Sequence, residues 1–123
     1  MKCVLVFFAL PLTWLVIAPA DVAFSQTQAE LTRQAANEFK AADADLNRVY
    51  KALLAKLDDE GRAKLVAAQR AWITFRDAEA AYEADTLRGG SAQEMTRWGV
   101  MASLTQERTK TLKNSLENDN SDR

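Results

Sequence analysis

Apolar residues recur along most of this chain at steps of three and four, with two interruptions. From Thr27 to Leu57 they fall at Leu31, Ala35, Phe39, Ala42, Leu46, Val49, Leu53 and Leu57, the spacing that lines one face of an α-helix. Such a helix of about 30 residues is a rod of roughly 45 Å. Asp58 and Asp59 follow, residue types that cap a helix start, and a second stripe runs through Leu65, Ala68, Trp72, Phe75 and Tyr82, with Glu79 interrupting it. That helix is predicted to end near Leu87, where Arg88-Gly89-Gly90 breaks the pattern. Ser91-Ala92-Gln93-Glu94 then has the capping-box form that opens a third helix, whose stripe is Met95, Trp98, Ala102, Thr105, Leu112 and Leu116. Residues 117–123 offer nothing to bury and read as a disordered tail.

Short links between long helices make neighbours antiparallel, so the pattern predicts an all-α fold, an up-down-up three-helix bundle without strands. The stretch from Ala68 to Glu79 looks like the middle of a central helix. Gln69, Trp72 and Arg76 share one of its faces, so an amide, an indole and a guanidinium sit where an ordinary core helix carries aliphatics. Counting outward from the two turns puts Trp72 level with Asp43 and Thr105. Gln69 falls level with Leu46 and Arg108, with Asn47 one residue away. The polar residues that break each stripe therefore gather at one height, as a layer of Asp43, Asn47, Gln69, Trp72, Arg76, Thr105 and Arg108. In it an arginine fork can serve the Asp43 carboxylate, and the indole N–H needs an acceptor. Such a layer has two readings. It fixes helix register and pairing, or it lines a pocket for a small anionic ligand, with Arg76 and Arg108 as the cations.

The front of the chain differs from the rest. Lys2 precedes an unbroken apolar run from Val4 to Ala18, about 15 residues where a membrane span needs roughly 20. Residues 1–25 read as a secretory signal peptide, with cleavage expected after Ala23-Phe24-Ser25 rather than after Ala18-Pro19-Ala20, whose proline fits a recognition triplet less well. The alternative for this run is a retained membrane anchor. Cys3 precedes the run and so is not placed as a lipoprotein acceptor. Export would deliver residues 26–116 as one helical domain to the periplasm or beyond, with no membrane contact after cleavage.

Composition narrows the chemistry. There is no histidine, and Cys3 is the only cysteine, so the domain lacks the commonest general base, a thiolate and nearly all transition-metal ligands. No metal and no cofactor are expected. Asp43/Asp45 and Asp58/Asp59/Glu60 are carboxylates at solvated or capping positions, so the chain does not read as an enzyme. A formal net charge of -1 supplies no field toward nucleic acid.

Three spaced blocks carry a resemblance: Ala42-Asp43-x-x-Leu46-Asn47-x-x-Tyr50, Ala68-Gln69-Arg70-Ala71-Trp72-Ile73-x-Phe75-Arg76-Asp77, and Leu104-Thr105-x-x-Arg108-Thr109-x-x-Leu112. In this order after a leader, the chain resembles the family of the lysozyme inhibitor LprI N-terminal domain from about Thr27 to Leu116. The resemblance implies an exported all-helical domain and, for the member that names the family, inhibition of lysozyme. Relatives often carry cysteines where this chain has Gln34 and Ala80, and another near Val100. The first two positions are compatible with a clamp between the first two helices, which this chain lacks. Lysozyme cleaves with two carboxylates in a cleft, so the tip Arg88-Gly89-Gly90-Ser91, with a cation and free backbone donors, is a candidate partner-binding loop; its other reading is a simple helix-helix turn. A scaffold protein for another envelope protein is the remaining alternative, with Tyr82 and Trp98 as exposed anchors.

Overall fold

The computed structural model describes residues 20–121, with side chains from 23 to 118. Three helices make an antiparallel up-down-up bundle: α1 (Ala20–Lys56), α2 (Asp59–Ala84) and α3 (Gln93–Ser121), with a short 3-10 turn at Asp85–Leu87 extending α2. The expected leader falls mostly outside the described residues. α1 is already helical at Ala20, seven residues before Thr27, and residues 23–27 are exposed. At the other end α3 runs to Ser121, five residues past Leu116, where the apolar stripe stops. Residues 117–121 are thus helical where the sequence pattern predicts a disordered tail. The helix there continues on local hydrogen bonds, with Glu117 and Asn118 exposed.

The two turns are built differently. Asp58 caps α2, its side chain accepting from Gly61 N at 2.8 Å, with Asp59 and Glu60 in the first turn where the helix dipole favours negative charge. The second turn does not use the expected capping box. Arg88 N donates to Asp85 O at 3.1 Å, Gly90 N to Leu87 O at 2.9 Å, and Gln93 N to Gly90 O at 3.2 Å. Gly89 sits at φ +76°, a conformation that suits glycine, and its N–H donates to Gln93 Oε1 at 3.2 Å. Here Gln93, rather than Ser91 with Glu94, closes the entry to α3.

The helix that both others pack on is α3, not α2. Side-chain size supplies the reason. The buried positions of α3 include Ala102, Thr105 and Thr109, and those of α1 include Ala35 and Ala42, so these two backbones approach closely. By contrast α2 turns Gln69, Trp72 and Arg76 inward, and such long side chains hold its backbone farther from α1. The two are joined by bridges instead: Arg62 Nε donates to Leu54 O at 3.0 Å, and Arg76 reaches Asp43 and Phe39.

The apolar core is concentrated at the end of the bundle where α1 turns into α2. Leu46, Val49, Leu53 and Leu112 are buried there, with Tyr50, Leu57, Leu65, Trp72 and Leu116 packed around them. The stripes of α1 and α3 match this core. That of α2 does not: Gln69, Arg76, Ala80 and Ala84 are its buried residues, while Ala68, Phe75 and Tyr82 are exposed. The helix is rotated so that its polar positions face inward, because the cations there find aromatic and carboxylate partners that Phe75 and Tyr82 would displace.

Candidate functional site

The inward face of α2 meets the other helices through a ladder of alternating rings and cations. Arg76 lies over the Phe39 ring of α1 at 5.1 Å and over its own neighbour Trp72 at 5.2 Å; Arg108 of α3 lies over the same indole at 6.0 Å. Each guanidinium presents its flat, weakly hydrated face to a ring whose π cloud is negative. The ladder continues beyond Phe39, which packs against Trp98 with centroids 5.5 Å apart, and Arg97 covers Trp98 at 4.8 Å. The series Arg97, Trp98, Phe39, Arg76, Trp72, Arg108 thus crosses all three helices.

Hydrogen bonds fix the edges of these groups. Arg76, with only 8% of its side chain exposed, donates from Nε to Asp77 Oδ1 at 2.9 Å and approaches Asp43 Oδ1 at 3.5 Å. Asp77 is therefore its closer carboxylate. Sequence spacing gives little warning of this, since adjacent helical residues do not normally face each other and only the length of the arginine permits it. Asn47 lies on the solvent side of the layer and donates to Asp43 Oδ2 at 3.2 Å. Arg108 Nε donates to the buried Gln69 Oε1 at 3.1 Å. Burial lowers the pKa of Arg108, but a guanidinium stays protonated at any physiological pH. Thr105 has no exposed surface; its carbonyl accepts from Thr109 Oγ1 at 2.9 Å, while its own Oγ1 has no partner among the described residues. Among the described residues its side chain makes no hydrogen bond to the rest of the layer.

Two surface grooves are lined by other residues, one along α1 between Glu30 and Ala41, another between Asp45 of α1 and Lys110 and Lys113 of α3. Among the described residues no three His, Cys, Asp or Glu side chains gather as a metal site requires.

The second candidate, the α2–α3 turn, is exposed throughout from Asp85 to Ser91. Arg88 is not a free cation: it forms a two-pronged pair with Asp85, Nε to Oδ1 at 2.7 Å and Nη2 to Oδ2, and this pair raises its pKa. Of the two aromatic anchors expected beside the turn, Tyr82 is 74% exposed, whereas Trp98 is half-buried between Phe39 and Arg97. Trp98 is thereby corrected from a surface anchor to a packing residue. Of the two positions considered for a clamp between the first two helices, Gln34 is exposed and bonded to Glu38, and Ala80 is fully buried.

The architecture defines a small helical domain in which Gln69, Arg76 and Arg108 join helices, while the α2–α3 turn and one flank of α2 are exposed. The chain matches the family described as Lysozyme inhibitor LprI over residues 20–112, a span that includes every rung of the ladder, and it belongs to that family. It is also 36% identical over 104 residues to an uncharacterized protein of Rhizobium meliloti (strain 1021), an alignment spanning 74% of this chain and 75% of that one. No solved structure matches. The family is described as one of inhibitors, not of enzymes. Among the described residues, no helix is long and apolar enough to cross a membrane.

Proposed function

We propose that this protein is exported to the periplasm or beyond and inhibits lysozyme by direct protein–protein contact, without catalysis. The observation that carries this reading is the family match across residues 20–112, all three helices included save the last turns of α3. The layer of Asp43, Asn47, Gln69, Trp72, Arg76, Thr105 and Arg108 serves on this reading to hold the helices in register. A small anionic ligand is the weaker alternative, because Arg76 is already enclosed by two rings and a carboxylate.

The proposed contact is the exposed tip Arg88-Gly89-Gly90-Ser91 at the end of the bundle; the expected free backbone donors at 88, 89 and 90 are already bonded within the turn, so the guanidinium of Arg88 is the group it offers. Its Arg88–Asp85 pair makes a definite demand: a carboxylate in the lysozyme cleft must replace Asp85 on the guanidinium. Purified protein is added to a turbidity assay of cell-wall lysis. Lysis slows in proportion to added protein, Asp85→Asn strengthens the effect by freeing the cation, and Arg88→Ala with Ser91→Ala weakens it. Undiminished inhibition by that double variant refutes the tip as the contact, and no inhibition at molar excess refutes the function. Export is tested by cell fractionation.

A partner protein other than lysozyme is favoured by one observation, the exposure of Tyr82 beside Phe75 on α2.

A further inference from the structure

The outward side of α2 carries Ala68, Ala71, Phe75, Ala78 and Tyr82, all exposed, with Phe75 52% and Tyr82 74% accessible. Their steps of three, four, three and four residues are the repeat of a coiled-coil seam. Helix propensity alone accounts for the three alanines, but Phe75 and Tyr82 are large rings that α1 and α3 leave uncovered.

The seam is symmetric about its own midpoint. Ala68 and Tyr82 lie seven residues on either side of Phe75, and Ala71 and Ala78 lie four and three. If a second α2 is laid antiparallel on the first with the two-fold axis at Phe75, each Tyr82 meets the small Ala68 of the other chain. Ala71 faces Ala78, and the two Phe75 rings meet at the axis. The large Tyr82 thus falls opposite a small residue at both ends, and two large rings meet only at the axis. A parallel arrangement sets Tyr82 on Tyr82 as well as Phe75 on Phe75, with Ala68, Ala71 and Ala78 each facing its own copy, so the seam is filled less evenly.

Charge selects the same arrangement. At the N-terminal end of the seam Lys64 Nζ is bonded to Glu60 Oε1 at 2.7 Å, and at the C-terminal end Arg88 is paired with Asp85. Measured from Phe75, Lys64 and Asp85 stand eleven and ten residues away, and Glu60 and Arg88 fifteen and thirteen. Antiparallel pairing therefore brings Lys64 to the partner chain's acidic position and Glu60 to its basic one, closing an alternating four-charge ring at both ends. Parallel pairing places like charge on like.

We propose that the α2 seam is a self-recognition surface, and that the protein forms an antiparallel two-fold dimer through it. Such a dimer is isologous and closes on itself. It leaves the ring-and-cation ladder untouched, since that lies on the opposite side of α2, but it draws on Arg88, so the dimer and the proposed lysozyme contact compete for that side chain.

Sedimentation velocity on the purified protein, over a concentration series reaching about 100 µM, reads the outcome directly. The expected species is a dimer. Phe75→Glu sets two carboxylates face to face at the axis and yields monomer with unchanged far-UV circular dichroism, since residue 75 is exposed. Exchanging Glu60 and Lys64 in place (Glu60→Lys with Lys64→Glu) keeps the bridge within the helix but opposes like charges across the seam, weakening the dimer by roughly tenfold. Adding Asp85→Arg with Arg88→Asp restores it. A protein that is monomeric throughout the series overturns the proposal, whether the seam is covered by residues 1–19 or by another protein. So does a dimer that survives Phe75→Glu, or one that the second exchange does not rescue.

Discussion

Replacing Arg76 by alanine tests whether stacking or ion pairing holds the layer. The side chain is 8% exposed, but its carboxylate partners are not buried with it: Asp43 and Asp77 retain 42% and 52% of their side-chain exposure. Pairs of this kind are screened, and each contributes about 1 kcal/mol or less. The two ring contacts, on Phe39 and Trp72, together are worth about 1–3 kcal/mol. Losing the buried aliphatic stem adds a cavity term on the order of 1 kcal/mol. Stacking and packing therefore outweigh the charges, and Arg76→Ala is expected to cost about 3 kcal/mol. Arg76→Met, which keeps the stem and a polarisable atom against the rings, should lose about half as much. Asp43→Asn and Asp77→Asn, made singly, should each cost under about 1 kcal/mol, because one carboxylate still faces the guanidinium. Urea unfolding followed by far-UV circular dichroism separates these cases. With a slope near 1.5 kcal/mol/M, a loss of about 3 kcal/mol moves the midpoint by about 2 M. An aspartate variant as damaging as Arg76→Ala would mean that the carboxylates are the dominant partners, and would refute the primacy of stacking.

Other outcomes follow from the same geometry. Thr105→Val replaces a fully buried hydroxyl that has no partner among the described residues with a methyl of like size, and should raise the melting temperature, by a free energy of about 1 kcal/mol. Asp58→Ala removes the acceptor for Gly61 N and should cost about 1 kcal/mol in the same unfolding titration. Asp45 is held below its ordinary carboxyl value of 3.8 by hydrogen bonds from Arg48 and then from Lys113. Its folded pKa is depressed, so the small stabilisation it provides is present above that value and is lost as pH falls through the folded pKa. Asp45→Asn should therefore flatten the acid limb of a stability–pH curve, and a high-salt buffer should have a similar effect on the unaltered protein.

Residue spacing alone located the three helices, because a stripe repeating every three or four positions has few other ways to be buried. It also led to the expectation of a polar layer at one height, since the rise per residue is constant and two short turns fix the phase. Arg108 and Gln69 meet as that count requires. Phe39 was legible as a stripe residue but not as the plate beneath Arg76, for stacking depends on side-chain direction, which spacing does not carry.

The face that α2 turns inward was settled by tertiary structure. Two stripes compete on that helix, one through Phe75 and Tyr82, the other through Gln69, Trp72 and Arg76, and hydrophobicity alone favours the first. The second is buried because partners for its polar groups wait on α1 and α3, and a ranking by apolarity cannot register a cation that is stabilised by rings on other helices. The same asymmetry sets α3 between its neighbours, with small side chains drawing α1 close and long ones keeping α2 apart. Local sequence thus determined where each helix lies along the chain; the rotation of each about its own axis depended on contacts between residues far apart in it.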